Sequence, residues 1–204
     1  AAAAKKGGVS LDRLEFESCT PAIKAYGTAL QEEDRAKARQ GRAIRVGNLG
    51  NASGPVTRPE LSPVYALKAA RSAFHVFTNI RPVRLRPEYE SLSPLKESIT
   101  SKGMDILIVR DLMGGMIAGD RQESEGIHGR EASDLEYYNE SIVQYSATFA
   151  FEAAEKRNRK VTSVDKANVL SSSKLWRQKV IEIGACYPHI SLSHDFVDNA
   201  AMEL

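Results

Sequence analysis

The stretch KVTSVDKANVL (160–170) decides the fold. KVTSVD (160–165) reads as a strand, rich in β-branched residues, and it lies between two helical stretches. Upstream, SIVQYSATFAFEAAEK (141–156) places Ile142, Tyr145, Phe149 and Ala153 at helical spacing. Downstream, residues 174–186 form a second helix, with Leu175, Val180, Ile183 and Ala185 apolar, which Tyr187-Pro188 stops. SLSHDFV (191–197) is a third strand, and Asp198 begins a new segment. Earlier, DILIVR (105–110) is a nearly continuous apolar run, as expected of a strand covered on both faces. Strand, helix, strand, helix, strand predicts an α/β architecture. Ligands of such sheets gather beyond the carboxyl ends of the strands, and Arg110, Lys166 and Asp198 fall at such ends.

Outward from this centre the reading is less sharp. Gly114-Gly115 breaks the apolar run, and residues 119–134 read as a polar, exposed excursion. Ser93-Pro94 predicts the opening of a short helix, with a capping serine and proline in the first turn. Residues 64–77 look helical, with Val64, Leu67, Phe74 and Phe77 apolar. GNLGNASGP (47–55) is a glycine-rich loop without the ending of a P-loop or the spacing of a dinucleotide fingerprint. Residues 31–45 predict a solvated helix whose acids precede its bases, which suits the helix dipole. LDRLEFES (11–18) alternates as a strand does. AAAAKKGG, at the start, reads as a disordered tail spanning residues 1–10.

The composition excludes several classes. The chain has 204 residues, 28 Lys+Arg against 26 Asp+Glu, 42% hydrophobic and 26% charged residues, all near the globular average. No apolar run approaches the length of a membrane span. Cys19 and Cys186 make no disulfide framework, and that usage favours a reducing compartment, the cytoplasm or an organelle matrix. A net charge of +2 without clustering gives no footprint for nucleic acid.

Arg71, Arg81 and Arg110 each end an apolar segment. A guanidinium pairs with a carboxylate through two parallel bonds, so three converging arginines suit a ligand with two or more carboxylates. The competing reading is three surface arginines with flexible stems. Lys166 follows a strand, and acts as a base only if partly buried; otherwise it is a solvated loop residue. Asn168 offers both donor and acceptor. Asp198 is a hard oxygen ligand of the kind that holds magnesium or manganese, or else a helix N-cap before Asn199. His75, His128, His189 and His194 show no ligand spacing, neither cysteine has a neighbouring motif, and Trp176 reads as packing.

FTNIRPVR (77–84), SPLK (93–96), DILIVRDLMGG (105–115), FEAAEKRNRKVTSVDKANVL (151–170), LWR (175–177) and VDNAAMEL (197–204) resemble, in order, the β-decarboxylating hydroxyacid dehydrogenases, and among them the isopropylmalate dehydrogenases. AIKAYG (22–27) and RPE (58–60) extend the likeness upstream. The resemblance implies a mixed sheet with flanking helices, residues 11–80 forming part of a first domain and 81–204 a nearly complete second, dimerising and substrate-binding domain. It implies oxidation of a 2-hydroxy diacid such as 3-isopropylmalate, hydride transfer to NAD and loss of carbon dioxide. Arg71, Arg81 and Arg110 match the arginines that clamp the malate carboxylates. Lys166 matches the lysine that takes the hydroxyl proton. Asn168 matches the asparagine near the nicotinamide, Asp198 one carboxylate of the Mg2+ or Mn2+ site, and Leu67 and Val169 apolar positions around the isopropyl group. The family's lysine and aspartate come from the partner subunit, so a homodimer with shared active sites is implied, with helices 141–156 and 174–186 near the interface. Neither nucleic acid nor membrane is implied as a partner.

The departures favour a second reading. The family's tyrosine, which helps protonate the enolate, falls at Ile117 in GGMIAG. Lys68 replaces an apolar residue facing the substrate's alkyl group, as in relatives that take isocitrate, homoisocitrate or tartrate. The family's glycine-rich opening, the second pair of metal aspartates and the adenosine-binding segment have no counterpart here. A catalytically silent relative acting as a dimerising scaffold or regulatory subunit is the alternative. An anion-binding module unrelated to redox chemistry rests on the arginines alone.

Overall fold

In a computed structural model of the chain, residues 6–8, 10–18, 20–28, 30–47 and 63–203 are described. The chain divides into two units, Ala1–Val76 and Phe77–Leu204.

The described residues of the first unit are helical where they are regular: α1 (Thr20–Tyr26), α2 (Glu32–Ala38) and α3 (Pro63–Ala73). Helix α2 carries Glu32, Glu33 and Asp34 in its first turn and Arg35 and Lys37 in its last, as its charge order predicts. It is shorter than the expected 31–45 because it buries no residue and Gly41 follows its last turn. LDRLEFES is not a strand. Leu11 and Leu14 stand 62% and 63% exposed, and alternation makes a strand only when a neighbour pairs with it. Helix α3 stops at Ala73 rather than at Phe77. His75 turns left-handed at φ 53, and Val76 N–H donates to the Arg71 carbonyl at 2.9 Å, closing the end. The glycine-rich loop from residue 48 on, and Arg58-Pro59-Glu60, lie outside the described residues.

The second unit begins as an antiparallel ribbon. Strand β1 (Thr78–Leu85) pairs with β2 (Met104–Asp111), Asn79 opposite Arg110 and Arg81 opposite Ile108. Between them lie a 3-10 turn (Pro87–Leu92) and the short helix α4 (Glu97–Thr100). Ser93 does not cap that helix. Its hydroxyl accepts from Leu95 N–H at 3.2 Å, forming a local turn before the helix starts. Strand β2 is not covered on both faces: among the described residues it pairs with β1 alone, and Ile108 is 41% exposed. One face of the ribbon meets the long helix through Ser146, whose hydroxyl lies 3.1 Å from that of Thr78 and donates to Asp111 at 3.0 Å.

After α5 (Gly115–Ala118), the polar excursion is a hairpin of β3 (Arg121–Gly126) and β4 (Gly129–Asp134), exposed except at Gly126. Gly129, at φ +101, makes the return. Helix α6 (Glu140–Glu155) follows, capped by Asn139, whose side-chain oxygen accepts from Ile142 N–H at 2.9 Å.

Strand β5 (Lys160–Asp165), helix α7 (Ser171–Gly184) and strand β6 (Ser191–Phe196) make a parallel crossover, and α8 (Val197–Glu203) continues from β6. Parallel and antiparallel pairing with flanking helices is the predicted α/β class, here as separate two-stranded sheets among the described residues. The core lies where α6 crosses α7 and comprises Val143, Ala147, Phe151, Ala154, Val180 and Ile190. This buried stripe is rotated from the predicted one: Tyr145 is 56% exposed, and the small Ala147 and Ala154 admit close helix packing instead. Phe151 is fully buried, stacked on Tyr187 at 5.1 Å. A Cβ on Gly184 would stand 3.1 Å from Phe151 and 3.0 Å from Leu192. Truncating Phe151 removes the centre of this cluster. Phe151→Ala is expected to lower the unfolding free energy by about 3–5 kcal/mol in a urea titration followed by circular dichroism.

Candidate functional site

The parallel register of β5 and β6 sets Asp165 beside Phe196, so both strands end at one level. Lys166 leaves from the first and Asp198 from the second, and Lys166 Nζ donates to Asp198 Oδ1 at 2.5 Å. The two sequence-predicted residues are therefore in contact within one chain. The lysine, and then the residue's own backbone N–H, hold the Asp198 carboxyl below the ordinary carboxylate range. Asp198 is not an N-cap, because α8 starts one residue earlier, at Val197. It lies in the first turn, where its charge suits the dipole.

Beneath the pair lies a polar support. The Asp165 carboxylate is 2% exposed and accepts from Arg177 Nε at 2.8 Å, from an Arg177 terminal nitrogen at 2.9 Å and from Ala167 N–H at 2.8 Å. The Arg177 guanidinium also lies over the Phe196 ring, 4.9 Å from its centroid, and Lys166 Nζ stands 5.9 Å from the same centroid. Next along β6, His194 pairs across the ladder with Ser163, whose hydroxyl accepts from the Trp176 indole at 3.1 Å. His194 Nδ1 is buried with no partner among the described residues. Burial, and secondarily the Arg177 charge, push the His194 imidazole below its ordinary value, against the opposing pull of Asp165.

Asn168 and Val169 occupy the turn after β5, where Val169 and Leu170 N–H both donate to the Lys166 carbonyl, at 3.0 and 2.9 Å. Both side chains are exposed. Asn168 lines an open depression of about 340 Å³ with Lys174, Arg177, Ile181 and Phe196.

Arg81 and Arg110 share one face of the β1–β2 ribbon. Asn79 lies directly opposite Arg110, and Arg81 is two residues along from it, a diagonal neighbour of Arg110. Arg81 Nε donates to Asn79 Oδ1 at 2.8 Å. That face is the one opposite Thr78 and Asp111, which meet α6, and both arginines are exposed. Among the described residues, no hydrogen bond or ion pair links these arginines to Lys166 or Asp198. Leu67, Lys68 and Arg71 lie on α3 of the first unit. Leu67 and Arg71 are half-buried and one turn apart, and Lys68 is exposed.

The turn after β2 is built around Tyr138. A Cβ on Gly114 would stand 2.4 Å from the Tyr138 ring, so only glycine lets the chain pass. Asp111 closes the turn by accepting from Gly114 N–H at 2.8 Å and Met113 N–H at 3.1 Å. Ile117, in α5, is 60% exposed and offers no proton where the resemblance places a tyrosine. Sequence reading missed Asp165, Arg177, Phe196 and Tyr138 as builders of the site. The available signal was an acid at the last position of an apolar strand with an arginine in the next helix.

As a metal site, this arrangement supplies one hard oxygen, that of Asp198. No group of three or more His, Cys, Asp or Glu side chains gathers among the described residues. The described residues therefore offer a ligand and not a cage. For a dinucleotide, the depression beside Asn168 fits a ring with an amide, since Asn168 supplies both donor and acceptor and Phe196 an apolar wall.

A model of the isocitrate/isopropylmalate dehydrogenase family matches residues 1–204, and the chain belongs to that family. It is 42% identical over 192 residues to the 3-isopropylmalate dehydrogenase of Clostridium pasteurianum, covering 94% of this chain and 54% of that one. It is 39% identical over 205 residues to that of Photorhabdus laumondii, covering 98% and 56%. The chain thus spans about half the length of the curated relatives it matches. Among solved structures, the isocitrate dehydrogenase of Methylococcus capsulatus superposes with a TM-score of 0.72 at 21% identity, covering 98% of this chain and 56% of that one, which shows the fold. Among the described residues, no helix is long and apolar enough to cross a membrane.

The Tyr138 environment makes a pH prediction. Burial, and then the charges of Asp111 and Glu136, push its phenol up from 10.0 to about 12. The folded chain holds this proton more tightly than the unfolded chain. The resulting stabilisation is complete below pH 10 and is lost as pH rises towards 12. Urea midpoints measured from pH 9 upward should fall more steeply for the parent chain than for Tyr138→Phe. Parallel slopes would contradict the assignment.

Proposed function

We propose that this chain supplies the carboxylate clamp and the proton-handling pair of a β-decarboxylating dehydrogenase. Its substrate would be 3-isopropylmalate or a related 2-hydroxy diacid, its hydride acceptor NAD, and its place leucine biosynthesis. The observation that carries the reading is the contact of Lys166 with Asp198 beyond the carboxyl ends of β5 and β6. The names of its relatives support the substrate class.

In this reading Arg81 and Arg110 pair with the diacid's carboxylates. Fixing the diacid this way removes much of the entropic part of the barrier. Val169 would contact its alkyl group. Lys166 would take up the hydroxyl proton and return one, and the carboxylate of Asp198 would keep Nζ in place for both. Asn168 would bond the nicotinamide amide. Mg2+ or Mn2+, held in part by Asp198, would stabilise the alkoxide and then the enolate when bound. Two copies would complete the site between them, in the cytoplasm.

Ile117 favours a second reading, a silent relative that binds the diacid and dimerises without turnover. An assay of the chain with Mn2+, NAD and 3-isopropylmalate separates them. NADH formation is expected, with kcat about 10²- to 10⁴-fold lower in Lys166→Met. Calorimetry should show the diacid still binding to that variant and weakening in Arg110→Met. Binding without turnover in the parent chain would establish the silent reading, and absence of both would contradict each. Sedimentation is expected to report a dimer.

A further inference from the structure

Lys166 and Asp198 meet at 2.5 Å, although their side chains are 29% and 58% exposed. An exposed ion pair gains little by itself, because holding two flexible side chains in one geometry offsets the attraction. Such a contact persists where the backbone delivers the two groups to each other. Here the backbone is fixed on both sides of Lys166. Asp165 precedes it, and the Asp165 carboxylate accepts from Ala167 N–H, the residue after it. On the other strand Phe196 lies two residues before Asp198.

One side chain engages both strands. Arg177, from α7, turns its edge to the Asp165 carboxylate in a two-bond fork and its face to the Phe196 ring. We propose that Arg177 is a positioning residue for the Lys166–Asp198 pair, acting through Asp165 on one strand and Phe196 on the other. A guanidinium is the one side chain with both a charged fork and a flat face, so lysine cannot replace it. Phe196 takes part twice, since its ring also carries Lys166 Nζ at 5.9 Å. The functional meaning of this placement rests on reading Lys166 as the proton-handling group.

The test reads the contact directly and needs neither substrate nor cofactor. A water-soluble carbodiimide activates the Asp198 carboxyl. Lys166 Nζ attacks it, an isopeptide bond forms, and the carbodiimide leaves as its urea, having taken up the lost water. Peptide mapping by mass spectrometry quantifies this cross-link against the one between Lys179 and Glu182, which lie 2.9 Å apart within α7. Arg177→Lys and Phe196→Leu should each lower the Lys166–Asp198 yield several-fold and leave the reference unchanged. Phe196→Tyr, which keeps the ring face, should restore the parent yield. Parent yields in folded Arg177→Lys and Phe196→Leu would overturn the proposal. If Arg177→Lys does not fold by circular dichroism, Phe196→Leu decides alone, because it leaves the ion pair intact. Loss of fold in both would also overturn it, by making the set a requirement of the fold and not of the pair. A parent chain that cross-links but neither binds nor turns over the diacid would fail the functional reading and leave this one standing.

Discussion

The second unit depends on one buried charge. Asp165 ends β5 with its carboxylate almost wholly out of water, an arrangement that is costly unless the charge is fully bonded. Arg177 and Ala167 N–H supply those bonds. Satisfying Asp165 therefore fixes three things at once: the end of β5, the path of the turn that follows, and the docking of α7. The parallel partner β6 is held to the same end through Phe196. Removing one member of a buried pair costs about 3–5 kcal/mol, more than the pair contributes over an apolar substitute. The arrangement is accordingly a device for placement more than for stability.

From this constraint the chemistry of the site follows. Two strands running the same way deliver their next residues to one place, and those residues are a lysine and an aspartate. The β1–β2 ribbon solves a different problem by a different route. Antiparallel register puts Arg81 and Arg110 on one face, while Thr78 and Asp111 hold the other face to α6. The same fold thus presents a cationic face and a lysine–aspartate pair, the two components on which the proposed hydroxy-diacid oxidation would draw.

Much of this was legible in the sequence where the signal is local. KVTSVD is rich in β-branched residues and SLSHDF is bounded by clear breaks, so both strands were read to within a residue, whereas the helix between them, read as 174–186, runs Ser171–Gly184 because its polar first turn carries no apolar signal. Lys166 and Asp198 followed from their position after strands. What depends on pairing was not legible. The shared face of Arg81 and Arg110 is a matter of register between segments far apart in sequence. RQESEG and GREASD are polar on both faces and carry no alternation, so a hairpin read as an excursion. LDRLEFES alternates and forms no strand, because alternation reports a tendency and a strand needs a neighbour. In α6 two apolar stripes compete, and the one containing Ala147 and Ala154 is buried because it permits closer approach. Ile117 was legible as a departure, and its consequence is a matter of chemistry that only turnover reports.

The most direct test of the account is a map of where a diacid binds. Titrating 3-isopropylmalate into the isotopically labelled chain, followed by amide and side-chain shifts, reads every residue at once. Changes are expected to gather at Asn79, Arg81 and Arg110 and at Lys166 to Val169. Changes confined to the β3–β4 hairpin, or no saturable change at all, would contradict it.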